Sequence, residues 1–141
     1  MVIGTVKEIK THEYRVGLTP SCAVSFVSRG HTVLFEQGAG DDAGYDDAEY
    51  SAAGAAVLNN KKKIFDDADM IVKVKEPLAE ELDFFHEEQI LFTYLHLAAS
   101  EQLTHELLKR SIKAVAYETI ETEDGALPCL KPMSEIAGRL R

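Results

Sequence analysis

The sequence predicts an α/β fold, a mostly parallel sheet with helices on both faces. Short β-branched or apolar runs alternate with helical stretches from end to end. Several of those runs are continuously apolar, as strands buried on both faces are. No repeat, low-complexity tract or linker divides the 141 residues, and one domain of that length buries roughly 68–70% of the surface its unfolded chain exposes.

Residues 2–6 (VIGTV) read as the first strand. Thr19 is placed to cap a helix, Pro20 suits its first turn and Gly30 its stop, with Ala23, Val24 and Val27 on one face. Residues 31–36 (HTVLFE) make a second strand before a glycine-rich turn. A short helix at 46–54, a strand at 55–58 and another short helix at 61–68 follow. The strand at 70–77 stops at Pro77, and 89–97 (QILFTYLHL) is the next. A helix from about Ser100 to Arg110 turns Leu103, Leu107 and Leu108 inward, and 113–119 (KAVAYET) closes the series.

Composition removes several classes of function. The formal charge of −9, from 24 acidic and 15 basic residues, opposes a nucleic-acid partner, because phosphate neutralisation needs a basic face. The one basic cluster, Lys61 to Lys63, runs straight into Asp66, Asp67 and Asp69 and reads as a solvated helix face. No apolar run reaches the roughly 18 residues of a membrane span, and the N-terminus lacks a signal-peptide pattern. Cys22 and Cys129 form no CxxC and read as small buried apolar residues in a reducing, cytoplasmic setting. The five histidines show no metal-ligand spacing, so no metal site is expected.

Residues 38–43 (GAGDDA) match the loose dinucleotide pattern G-x-G-x-x-G/A after a strand. Asp41 and Asp42 would set like charge against a pyrophosphate, and no amphipathic helix opens directly after Gly40. A surface turn using glycine for positive φ is the better account.

In an open α/β sheet, ligands collect outside the carboxyl ends of the strands. Four strands each bring a charged or titratable residue there: Arg15 beyond the first, Lys75 at the end of MIVKVK, His96 near the end of ILFTYLHL and Glu118 at the end of AVAYE. Each has a structural alternative. Arg15 can pair with Glu13 or Glu8, Lys73 or Lys75 can extend to solvent, Glu118 can accept backbone amides, and His96 can be a core histidine. Convergence on one edge favours a site. Arg15 offers a planar fork for a carboxylate, Lys75 a point charge for a carboxylate or carbonyl oxygen, and His96 a proton carrier near neutral pH. A 2-oxo acid satisfies all three.

The segments VKEIKTHEYRVGLTP, GHTVLFEQGAG, MIVKVKEPL, ILFTYLHLAAS, AYETIE and LPCLKPMSEIAGR together resemble the amino-terminal domain of the alanine dehydrogenases. That group includes the α subunit of proton-translocating nicotinamide nucleotide transhydrogenase. The resemblance spans residues 1–141 and implies a Rossmann-like substrate and catalytic domain. It also implies an NAD-dependent, homo-oligomeric enzyme that converts L-alanine, NAD and water into pyruvate, ammonia and NADH. Carried over by position, Arg15 and Lys75 bind substrate, and His96 is the catalytic histidine that polarises the carbonyl and shuttles its proton. Ser134 contacts the cofactor, with Leu130 and Met133 lining the nicotinamide side, and Glu118 lies near the site with no specific role assigned. Family members carry a second, NAD-binding domain with the phosphate-binding glycine loop and a catalytic aspartate. That domain is absent from this sequence, so the expectation is half an active site, inactive alone. The alternative is a non-catalytic small-carboxylate-binding domain or a transhydrogenase-like one, the latter disfavoured by the intact YLHLA and AYETIE stretches.

Overall fold

The computed structural model describes residues 1–139; the last two positions of the expected terminal helix, 140 and 141, lie outside the described residues. Six strands form one sheet, parallel throughout: β1 (Val2–Thr5), β2 (Thr32–Glu36), β3 (Ala56–Leu58), β4 (Met70–Val72), β5 (Ile90–Thr93) and β6 (Lys113–Ala116). Their order across the sheet is β3-β2-β1-β4-β5-β6. The helices are α1 (Pro20–Val27), α2 (Asp47–Ala52), α3 (Lys61–Asp67), α4 (Ala79–Leu82), α5 (Glu101–Lys109) and α6 (Lys131–Arg139).

Alternation along each strand divides its side chains between two cores. Ile3, Val33, Phe35 and Val72 pack with Ala23 of α1 and Tyr50 of α2 on one face. Leu34, Ile71 and Leu91 pack with Ile64 and Phe65 of α3, Leu82 of α4 and Leu103 and Leu107 of α5 on the other. Gly4 lets α3 approach β1: a Cβ there would lie 2.7 Å from Ile64 Cγ2 and 2.9 Å from Ile71 Cδ1. Helices therefore cover both faces, as the apolar runs require.

Some faces differ from the sequence expectation. Ala23 is fully buried and Phe26 and Val27 pack beside it, but Val24 is 52% exposed and Cys22 is exposed, because the stripe of α1 that meets the sheet runs through 23, 26 and 27. Cys129 is half-buried rather than buried. In α5, Leu103 and Leu107 sit four apart and face inward, whereas Leu108, a further 100° round the helix, is 73% exposed. Lys62 and Lys63 form the expected solvated pairs with Asp66 and Asp67, both at 2.7 Å. Lys61 instead turns inward, 3.6 Å from Glu36 and 3.9 Å from Glu81. Helix α4, after Pro77, has no counterpart among the expected elements.

Strands β4, β5 and β6 end earlier than the apolar runs do. The pairing dissolves into isolated bonds, Lys73 N to Phe92 O and Tyr94 N to Val74 O, so Lys75, His96 and Glu118 all stand on loops beyond the strands.

Candidate functional site

Strand order reverses between β1 and β4, which lie side by side but lead to loops running in opposite directions along the sheet. Such a switch point opens a crevice at the carboxyl ends. The loop after β1, residues 6–19, folds back into it. Gly17 makes this possible: a Cβ would lie 2.6 Å from Val72 O and 2.9 Å from Thr5 Oγ1, so the backbone itself seats on the strand ends. Thr5 Oγ1 donates to Val72 O at 2.8 Å, tying β1 to β4 just below.

A buried ionic group forms the floor. Lys73, fully inaccessible, lies 3.2 Å from Glu8 and 2.9 Å from Glu81. Buried charges persist where partners and hydrogen bonds surround them. Burial raises the Glu8 carboxyl above its ordinary value, and Lys73 pulls against that rise. Lys73 therefore does not extend to solvent, and Glu8 pairs with Lys73 rather than with Arg15.

Arg15 is half-buried, and its fork is held by Glu13: Nε donates to Oε1 at 2.6 Å, and Nη2 donates to Oε2. Those bonds hold Glu13 below the ordinary carboxylate value of 4.5, against its partial burial, with Lys75 adding a smaller pull. The remaining edge of the guanidinium, Nη1, lies 3.4 Å from Met133 Sδ. Arg15, Val74, Tyr94, Tyr117 and Met133 line a cleft of about 310 Å³. Tyr94 and Tyr117 meet edge to face at 4.7 Å, and burial raises both phenols.

His96 sits three residues past β5 with φ 51°, ψ 35°, in the left-handed region that side chains other than glycine rarely adopt. It is exposed and opens on a second hollow of about 500 Å³, lined also by Leu97, Ala98, Ala116, Glu118 and Thr119. The left-handed turn breaks strand alternation. Tyr94 faces the Arg15 cleft and His96 the adjoining hollow, so the two do not share one side as period two implies. Glu118 accepts the amides of Leu95 and His96, at 3.0 and 2.7 Å.

The structure thus brings Arg15, Glu13 and Met133 together at the switch point, leaves Lys75 on the loop after β4 with its charge felt at Glu13, and sets His96 and Glu118 around a separate hollow. Leu130 and Met133 are half-buried and Ser134 is exposed, all at the start of α6. Sequence spacing gave no sign of Tyr117, whose hydroxyl donates to Lys73 O. It became visible only through the fold.

A dinucleotide does not fit the glycine turn. Gly38 N is already bonded to Asp47 Oδ1 at 2.8 Å, and Asp41–Ala43 is a single 3-10 turn rather than a helix start. Among the described residues there is no cluster of metal-binding side chains, and no helix is long and apolar enough to cross a membrane.

Comparison with known proteins agrees with this architecture. The model of the alanine dehydrogenase/PNT N-terminal domain matches residues 4–137. The chain is 54% identical over 140 residues to an alanine dehydrogenase of Methanococcus maripaludis and 53% identical to one of Halomonas elongata, covering 99% of this chain and 38% of each relative. A solved L-alanine dehydrogenase superposes with a TM-score of 0.95 at 51% identity, over 99% of this chain and 38% of that one. A transhydrogenase from Sinorhizobium meliloti superposes with a TM-score of 0.79 at 25% identity, over 84% of this chain and 34% of that one. The chain thus spans a little over a third of the length of these relatives. With a six-stranded parallel sheet, a switch-point crevice and a match across nearly its whole length, this chain belongs to the alanine dehydrogenase/PNT N-terminal domain family.

Proposed function

We propose that the chain is the substrate-binding and catalytic domain of an NAD-dependent alanine dehydrogenase. The observation that carries this is the half-buried Arg15 fork in the cleft at the switch point, with Lys75 on the loop after β4 and His96 on the loop after β5. A substrate carboxylate meets Arg15 at its fork in exchange with Glu13, or at its Nη1 edge. Lys75 holds the same carboxylate or the keto oxygen. His96 hydrogen-bonds the carbonyl oxygen and gives it a proton as ammonia adds and that oxygen leaves as water, so that the hydride reduces the resulting imine. In the reverse direction it takes a proton from the water that adds to the imine. NAD supplies the hydride acceptor, against a wall of Leu130, Met133 and Ser134. The small cleft with its two tyrosines suits the methyl group of alanine. Free thiols at Cys22 and Cys129 support a reducing, cytoplasmic setting.

Pyruvate titrated into the chain tests the reading by NMR. It should shift the amides of Arg15, Lys75 and Tyr94 in the parent, and Arg15→Lys should weaken that binding because a point charge replaces a bidentate fork. Shifts confined to other regions, or equal affinity in the variant, would overturn the assignment. Since the glycine turn holds no pyrophosphate, the 141 residues produced alone should show no NAD-linked oxidation of L-alanine above background.

A further inference from the structure

Two of the three candidate substrate groups share one unassigned feature. Past β4, Glu8 Oε1 accepts the amides of Val74 and Lys75, at 2.6 and 3.4 Å. Past β5, Glu118 Oε1 accepts the amides of Leu95 and His96, at 3.0 and 2.7 Å. In both places a glutamate from a distant element takes two consecutive amides where strand pairing ends, and the second amide belongs to a site residue. Charge-assisted bonds of this kind are the stronger class.

We propose that Glu8 and Glu118 are positioning residues, carboxylates that fix the backbones of Lys75 and His96 so that both side chains are set before substrate arrives. The inference rests on the proposed function, since it is about the same site. The two cases divide the work by strength. Glu8 is buried and bound to Lys73, so its removal also strips a partner from a buried charge. Glu118 is half-buried and makes no ion pair among the described residues, so its clamp is separable from the core. Its target is also the demanding one. The left-handed conformation of His96 carries a steric cost in a residue with a Cβ. The two amide bonds offset that cost, and without them the loop relaxes toward an extended conformation and carries the imidazole away.

The test combines structure and kinetics. In NMR spectra of this chain, Glu118→Ala should move the Leu95 and His96 amides upfield and change the His96 backbone coupling, leaving Val74 and Lys75 in place. Glu8→Ala should do the reverse. Kinetics are read in a polypeptide that continues this chain with the dinucleotide-binding half its relatives possess. There Glu118→Ala should lower kcat by about ten- to a hundredfold, the scale of a displaced reacting group, with KM for L-alanine changed by less than about threefold. Glu118→Gln, which keeps an oxygen acceptor, should restore most of kcat. If the alanine variant does not fold, the glutamine variant decides. A His96 amide and a kcat like the parent's uphold the proposal, and a loss as deep as His96→Ala causes overturns it. Full turnover in Glu118→Ala also overturns it, provided His96→Ala is inactive. Full turnover in His96→Ala removes the proposed function itself.

Discussion

Glu13 occupies the guanidinium edge that a substrate carboxylate would use, so its ionisation controls more than local stability. Its carboxyl titrates below the ordinary 4.5 in the folded chain. The stabilisation from the Arg15 pair is therefore complete above that value and is lost as pH falls through the lower, folded one. Glu13→Gln should flatten the fall in melting temperature below pH 4.5, and an unchanged pH profile would detach the pair from stability. At His96, alanine should cut turnover in the two-domain polypeptide by at least about a hundredfold while shifting the melting temperature little, because the imidazole is exposed. Residue types and spacing identified Arg15, Lys75, His96 and Glu118 as a converging set. They did not reveal that Arg15 already has an internal partner, nor that His96 leaves its strand by a left-handed turn. Both depend on loop paths, and loop paths are set by contacts such as Gly17 against Val72 O that no local pattern encodes.

Helices and strands follow their punctuation closely. Thr19 accepts Cys22 N as a cap, Asp46 and Glu49 close a reciprocal capping box on α2, and Ser100 caps α5 through Leu103 N. What the pattern misjudged is which neighbour of a buried residue also faces in. Leu107→Ala should cost about 2–5 kcal/mol in chemical denaturation, and Leu108→Ala, one residue on, within about 0.5 kcal/mol of zero. Equal costs would mean that α5 is rotated from the orientation described. The loop after β1 depends on a single small position in the same way. Gly17→Ala places a methyl group on the carbonyl oxygen of Val72, which cannot move without breaking the β1–β4 edge. Loss of pyruvate-induced shifts together with a lower melting temperature is expected. A stable variant that binds pyruvate normally would show that the loop has room to spare. Strand ends were overestimated for a physical reason: apolar composition continues past β4 and β5 because Val74 and Tyr94 line the cleft and Leu95 packs in the core, not because they remain in the ladder.

Across the molecule, the alternation of strand and helix sufficed for a parallel sheet with two covered faces, while strand order needed coordinates. That order matters, because the reversal between β1 and β4 decides where the cations meet. The buried Lys73, Glu8 and Glu81 group was not foreseeable as a unit, since Glu8 comes from the distant loop after β1 and Glu81 from α4, 8 residues past Lys73, which no local spacing joins. The order has one more consequence. β1 is made before the other five strands and stands in the interior of the sheet, yet its partner β4 begins only at Met70. Throughout the synthesis of the intervening residues, one flank of the central strand has nothing to bond to. The nascent chain should thus be most open to holdase chaperones and misassembly during that interval, and most sensitive there to pauses in translation.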